Sequence, residues 1–340
     1  MHFELILPGL DWPTGPGTHP AADLALPALS TLLAFAGSAW GPRNTAEALL
    51  AERFGLSGHL PQARFRRLGE SIPAPVDGHW LCCDPVHLHF SRDTLLLADA
   101  SGLDITREEA DTLMDGLNKT FADIGHFEAP APDRWYIHLA DAARPSFHPL
   151  TDVNGRPVQL FLPEGEDTTR WARLSNEMEV WLFSHPVNAA REERGQRTIN
   201  GIWLWGNGTA TATSQSAWSA IQAQQAFARG LARHFGLAPQ AADRYLRPDG
   251  NGLALVDDLQ RPLLHQDRDG WRHALQALES NWFAPLLADL KARRLEALRI
   301  SVPSDRNSLQ LDVASRGLWK FWRKPRPLAN ALASAPQSAA

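Results

Sequence analysis

The sequence predicts an α/β protein whose core sheet is flanked by helices and interrupted by a small inserted α+β unit. Three observations point there. Apolar strand-like runs alternate with amphipathic helical runs over 340 residues, a length that suits about two domains. Trp171, Leu174, Met178, Trp181 and Leu182 recur at the spacing of one apolar helix face. Between residues 76 and 149, two strand runs, a capped helix and a further strand form a set of their own. The core is therefore assigned to 1–75 and 150–328, the insert to 76–149, and a disordered Ala/Ser-rich tail to 329–340.

Residues 1–75 read as strand, proline-glycine loop and two helices, 24–35 and 45–54. Strands follow at 80–90 and 93–98, with Arg92 and Asp93 in the turn between them. Thr106 and Glu109 form a capping box, and Ala110, Leu113, Met114, Leu117 and Phe121 line one face of the helix behind it. Residues 135–139 read as another strand. The helix bearing Trp171 to Leu182 should stop before Pro186, because proline disfavours helical geometry in its predecessor. His185 and Asn188 then fall in a turn, and Asn200 to Trp205 in a strand ending at Gly206. Beyond it we expect a helix over 214–235 capped by Gly236, a strand at 252–256, a long helix over 271–290, and late strands at 295–302 and 308–313.

With 44% apolar and 21% charged residues the composition is that of a soluble globular chain. A formal charge of −5 argues against nucleic acid as a partner, since phosphate contacts need concentrated positive charge. No run approaches the roughly 18 apolar residues of a membrane span, and no signal peptide is evident, so the expected location is cytoplasmic, with no membrane partner. The two cysteines, Cys82 and Cys83, are neighbours and poorly placed for a disulfide.

Cys82, Cys83, Asp84, His87 and His89 offer metal-ligand chemistry within eight residues. Alternation of Val86, Leu88 and Phe90 with the histidines explains them better as a half-buried strand, and no second pair with zinc-like spacing exists, so no metal is assigned there. The candidate ligand-binding set is His185, Asn188, Arg191, Arg194, Asn200, Gly206 and Gly208, a polar turn leading to a glycine loop. Guanidinium groups suit phosphate or carboxylate, which points to a small anionic metabolite. The equal alternative is that His185 and Asn188 tie the turn to backbone while the arginines are solvated. Gly206, Asn207 and Gly208 lack the fuller glycine fingerprint of a phosphate loop and read better as a tight turn. Trp319, Trp322, Arg323, Lys324 and Arg326 interleave aromatic and basic groups, which reads first as an edge strand with a basic rim and, as the alternative, as a contact surface for nucleic acid or an unknown protein partner.

The succession His185-Pro-Val-Asn, Arg191, Gly195, Asn200 and Trp203-Leu-Trp-Gly-Asn-Gly resembles the cofactor-independent phosphoglycerate mutases of archaeal type, in the alkaline phosphatase superfamily. Supporting segments are Leu5 to Leu10, Leu26 to Leu33, Gly102 to Ala110, and Phe127 with Arg134 to Tyr136. The resemblance implies an alkaline-phosphatase-like core sheet, two divalent metals held by carboxylates and histidines, and a serine that accepts the phosphoryl group. The chain departs from that pattern at three places. Pro8-Gly9 stands where the family has Asp-Gly, Arg43-Asn44-Thr45-Ala46 stands near the expected nucleophile, and Arg306 follows Asp305 where a metal ligand pair is expected. The chain also resembles the proteobacterial group of RpfE-type regulatory proteins. The expectation is a binding or regulatory protein with no catalytic residue and no cofactor. The alternative is an active mutase or phosphatase holding two metals such as Mn or Zn through Asp11, Asp257, Asp258, His265, Asp305 or His273. A third is a docking scaffold built on the basic Trp-rich segment.

Overall fold

A computed structural model describes residues 1–13, 18–70, 75–209, 216–319 and 322–332. The chain divides into unit 1, Met1–Ser57 with Ala212–Ala340, and unit 2, Gly58–Thr211. Unit 1 opens with β1 (His2–Ile6), α1 (Pro27–Phe35), β2 (Gly37–Pro42) and α2 (Ala46–Arg53). Unit 2 runs through α3 (Gln62–Leu68), β3 (His79–Ser91), β4 (Thr94–Ala98), α4 (Arg107–Thr120), β5 (Gly125–Ala131) and β6 (Arg134–Leu139). It continues with α5 (Leu150–Val153), α6 (Thr168–Phe183), α7 (Pro186–Glu193) and β7 (Gly201–Trp205). The chain re-enters unit 1 as β8 (Ala220–Ala223), α8 (Ala226–His234), β9 (Pro239–Gln240), β10 (Gly252–Leu255) and α9 (Gln260–Leu264). It closes with α10 (Arg268–Leu278), α11 (Ala284–Lys291), β11 (Ala297–Val302), β12 (Asn307–Ala314) and α12 (Leu328–Leu332).

The sheet of unit 1 has the order β2-β12-β11-β1-β10-β8-β9, parallel from β11 to β9 and antiparallel across β12 and β2. Strands buried on both faces need apolar residues throughout, which β1 supplies in Phe3, Leu5 and Ile6. Trp271, Trp282, Phe283 and Leu286 pack in the same core. Between α10 and α11 the helix widens into a π-turn at Glu279–Phe283, just before Pro285. A proline cannot donate to the carbonyl four residues back. That carbonyl, on Asn281, accepts instead from Tyr245 N at 2.9 Å. The same turn places Glu279 at the start of α1, where no local side chain caps the helix. Its carboxylate accepts from Ala28 N and Leu29 N at 2.5 and 3.1 Å.

Three expectations are corrected in unit 1. The stretch 214–235 is not one helix: β8 lies within it and, among the described residues, only α8 is helical. Ala and Gln favour helix, but parallel pairing of β8 with β10 and burial of Ile221, Gln222 and Ala223 override that weak preference. Gly236 does follow the last turn of α8, with φ +73°. Edge strand β2, made of Gly, Ser, Ala, Trp and Pro, carries almost no strand signal and is set by pairing with β12. The expected disordered tail begins inside α12, and residues 333–340 lie outside the described residues.

Unit 2 is centred on the long strand β3. Its first half pairs antiparallel with β6 and β7, and its second half with β4. Because β7 pairs with β3, unit 2 spans Gly58–Thr211 where the sequence suggested 76–149, and takes in α6 and α7. α4 begins as expected: Thr106 Oγ1 accepts from Glu109 N, and Glu109 Oε2 accepts from Thr106 N, each at 3.1 Å. Thr106→Ala should cost about 1 kcal/mol in a urea melt, and an unchanged midpoint would refute that role. Among the described residues no helix is long and apolar enough to cross a membrane.

Asp289, buried in α11, gives unit 1 an acid-sensitive tie. Burial alone would push its carboxyl up, but hydrogen bonds from Arg294, Arg247 and Tyr245 hold it below the ordinary value. A depressed folded value means stability that is present above the unfolded carboxyl pKa of about 4 and lost as pH falls through the folded value. Asp289→Asn should therefore flatten the acid limb of stability against pH. Identical acid limbs for variant and parent would contradict this.

Candidate functional site

The polar set around His185 forms in unit 2, and its groups are used inside the protein. α6 stops at Phe183, before Pro186 as expected, but Pro186 then opens a new helix instead of a turn. It occupies the first position of α7, where a missing N–H costs nothing. His185 is the N-cap residue, its Nδ1 accepting from Val187 N at 3.2 Å, and its ring packs on Trp181. Burial holds this imidazole below its usual pKa. Asn188 therefore lies on the helix. It donates to Leu182 O and Ile199 O and accepts from Ile199 N, all at 2.8 Å.

Arg191 is 0% exposed. Its Nε donates to Arg197 O at 2.8 Å, Nη1 to Glu109 at 2.6 Å, and Nη2 to Leu103 O. Arg194 donates to the other oxygen of Glu109 at 2.7 Å, so the acid that caps α4 also gathers both arginines. Asn200 completes strand-like pairing with Leu88 through its amide, at 2.7 and 2.8 Å. Gly206 has φ +87° and sits where a Cβ would lie 2.9 Å from Ala63 N. A Cβ at Gly208 would run into the Leu60 carbonyl. Both glycines allow close backbone approach. Asn188 and Arg191 are thus spent on internal partners, Arg194 stays half exposed, and the two glycines lie against Ala63 and Leu60.

The Cys82 to His89 segment is strand β3, with both thiols buried and free. Burial pushes the Cys82 thiol up to about 12 and holds Cys83 well above its usual value too, which disfavours the thiolate that metals require. Asp84 accepts from Arg66 at 2.7 and 3.0 Å, from Trp205 Nε1 at 2.8 Å and from Trp135 N at 3.2 Å. His87 and His89 stack at 5.8 Å on the outer half, where Phe90 is exposed, not inward as the alternation suggested.

Unit 1 holds the other candidates, at the C-terminal ends of its parallel strands, where open α/β sheets place their ligands. Asp11 follows β1, Asp257 and Asp258 follow β10, and Ser304 and Asp305 follow β11. Burial raises the Asp11 carboxyl against a hydrogen bond from Ser304, and Asp305 adds to the rise. Burial and then Asp257 raise Asp258, while Asp257 accepts from Gln225 at 2.7 Å. His265 and His273 are exposed, the latter held by Asp269 O. Thr45 is no free nucleophile: its hydroxyl caps α2 by accepting from Ala48 N at 3.1 Å. The turn at Pro8-Gly9 is closed. Gly9 has φ +83°, a Cβ there would lie 2.8 Å from the Leu259 backbone, and its carbonyl accepts from Trp271 Nε1 at 2.7 Å.

Sequence reasoning missed a recess of about 210 Å³ in unit 1, lined by Trp40, Leu49, Arg53, Ser301, Ser308 and Gln310 among others. Arg53 Nε donates to both oxygens of buried Glu4 at 3.0 and 2.9 Å, and Ser301 donates to the same carboxylate at 2.7 Å. The available signal was Glu4 itself, a lone charge in the otherwise apolar run Phe3 to Leu7.

No family model matches the chain. It is 32% identical over 122 residues to the 2,3-bisphosphoglycerate-independent phosphoglycerate mutase of Methanosarcina mazei, covering 34% of this chain and 30% of that one. It is 31% identical over 130 residues to a probable enzyme of that name from Geobacter sulfurreducens, covering 37% and 32%. The chain is phosphoglycerate-mutase-like. The match spans about a third of the length of these curated relatives. The PH0037 protein of Pyrococcus horikoshii shares the fold, with a TM-score of 0.57 at 15% identity over 92% of this chain and 87% of that one. The mixed α/β architecture expected from the sequence thus stands.

The expectation that the chain takes no cofactor is overturned by these relatives, whose mutase class is metal-dependent. A divalent metal is the cofactor that the likeness implies. The donor set does not match a two-metal arrangement. Among the described residues no three His, Cys, Asp or Glu gather into a metal-holding group. The rim carboxylates instead stand as two pairs, Asp11 with Asp305 and Asp257 with Asp258.

Proposed function

We propose that this phosphoglycerate-mutase-like chain is a cytoplasmic binding or regulatory protein for a small phosphorylated or carboxylated metabolite, and does not transfer the phosphoryl group. The observation that carries this reading is the closed turn at Pro8-Gly9. The mutase pattern puts a ligating carboxylate there, whereas here the turn has no ligand atom, no room for a Cβ, and a tryptophan bonded to its carbonyl. Two-metal transfer needs both the attacking and the leaving oxygen stabilised, so losing an anchor removes the reaction and does not merely slow it. The reading concerns that reaction; a divalent ion at the rim is compatible with it.

The recess beside β2 is the seat we assign to the metabolite. It offers the Trp40 indole, the Ser308 hydroxyl and the outer nitrogens of the Arg53 guanidinium, whose Nε, like the Ser301 hydroxyl, is taken by Glu4; such groups suit a phosphate or carboxylate on a small carbon frame. Titration calorimetry with 3-phosphoglycerate and Mn²⁺ should give saturable heat, weakened about tenfold in Trp40→Ala, a loss of about 1.4 kcal/mol. No heat, or equal affinity in the variant, would sink the assignment. The second reading, an active enzyme with a rearranged site, draws on the rim carboxylates and requires turnover.

A further inference from the structure

Unit 2 carries a groove of about 450 Å³ between the end of α4 and the outer side of α6. Phe121, Ile124, Val180 and Trp181 give it apolar walls, and its charged lining residues are Asp123 and Glu177, the latter also paired with Arg173 at 2.8 Å. The groove is shaped by Gly116, where a Cβ would lie 2.5 Å from the Trp181 ring, and Trp181 meets Phe121 edge-on at 6.3 Å. Val180 is 70% exposed, and Phe183, one helical step on, is 82% exposed. Two large apolar side chains presented together beside an apolar groove mark a contact surface.

The segment after β12 has the complementary chemistry. Trp319 and Trp322 are 63% and 58% exposed and meet edge-to-face at 5.2 Å. Arg316, Arg323 and Lys324 are exposed around them. The pair is presented from a fixed base, since Arg323 donates to Ala34 O at 3.0 Å and Arg326 N donates to Ser30 O at 2.9 Å.

We infer that the groove of one copy of this chain receives the Trp319–Trp322 pair of a second copy, with its basic neighbours facing Asp123 and Glu177. Indoles seated in an apolar groove are the usual energetic anchors of an interface, and opposite charges at its rim set register and speed association. Groove and indole pair are different surfaces, so the contact is heterologous and repeats into a closed ring or an open chain. The inference does not rest on any metabolite binding.

Light scattering on the full chain at low salt tests it. The parent mass should rise with concentration and fall back as salt is added. A groove variant, Val180→Glu, and an indole variant, Trp319→Ser with Trp322→Ser, should each associate at least about tenfold more weakly. Mixed together they should form one-to-one dimers, because one keeps the indoles and the other keeps the groove. Asp123→Lys with Glu177→Lys should abolish association while leaving every apolar contact in place, which separates docking from a folding defect. A parent that stays monomeric at all concentrations overturns the inference. So do variants that assemble like the parent, or a variant mixture that stays monomeric while the parent assembles.

Discussion

Arg191→Met lowers stability by about 3–5 kcal/mol, as expected when one partner of a buried, hydrogen-bonded charge pair is removed. The guanidinium reaches Arg197 O, Glu109 and Leu103 O from three different nitrogens. Without it two buried carbonyls lose their donor, and Glu109 Oε2 keeps only the N–H of Thr106. Arg191→Lys should recover only part of the loss, since an ammonium cannot span three separated acceptors in one plane. Urea midpoints of parent and variants decide the matter. A shift under about 1 kcal/mol would mean that Arg191 is held for a ligand and not for the fold.

Asp84→Ala has a comparable cost, about 3–5 kcal/mol, through a different failure. Its carboxylate balances Arg66, whose guanidinium lies against the rings of Tyr136 and Trp205 at 5.2 and 5.4 Å. The variant leaves that cation among apolar rings and strips Trp205 Nε1 and Trp135 N of an acceptor. The double variant Asp84→Ala with Arg66→Met should recover much of the loss, because removing both partners avoids the unpaired charge. If the single and double variants melted alike, the pair would not be the source of the effect.

Short-range rules account for most of unit 2. The capping box at Thr106, the apolar face of α4 and the strands around Trp80 and Trp135 depend on neighbours a few residues away, so they were legible in the sequence. What was not legible depends on distant pairing. β8 looks helical by composition and becomes a strand only because β10 lies beside it. The end of the insert hinges on β7 meeting β3, more than a hundred residues earlier in the chain. The internal partners of Asn188 and Arg191 were illegible for the same reason. Polar side chains in a turn look alike in sequence whether they face solvent or the backbone of another segment, and only the fold buries them. The departures at Pro8-Gly9 and Arg43 to Ala46 were readable, and the structure adds their consequence, a turn closed by Trp271 and a threonine used as a helix cap.

The central claim is that a phosphoglycerate-mutase-like chain binds without transferring. Phosphorus NMR of 3-phosphoglycerate incubated with the chain and saturating Mn²⁺ tests it most directly. The account expects no 2-phosphoglycerate and no free phosphate above the protein-free control. Accumulation of either product, abolished by substituting Asp11 or Asp257, would contradict it and assign catalysis to the rim carboxylates.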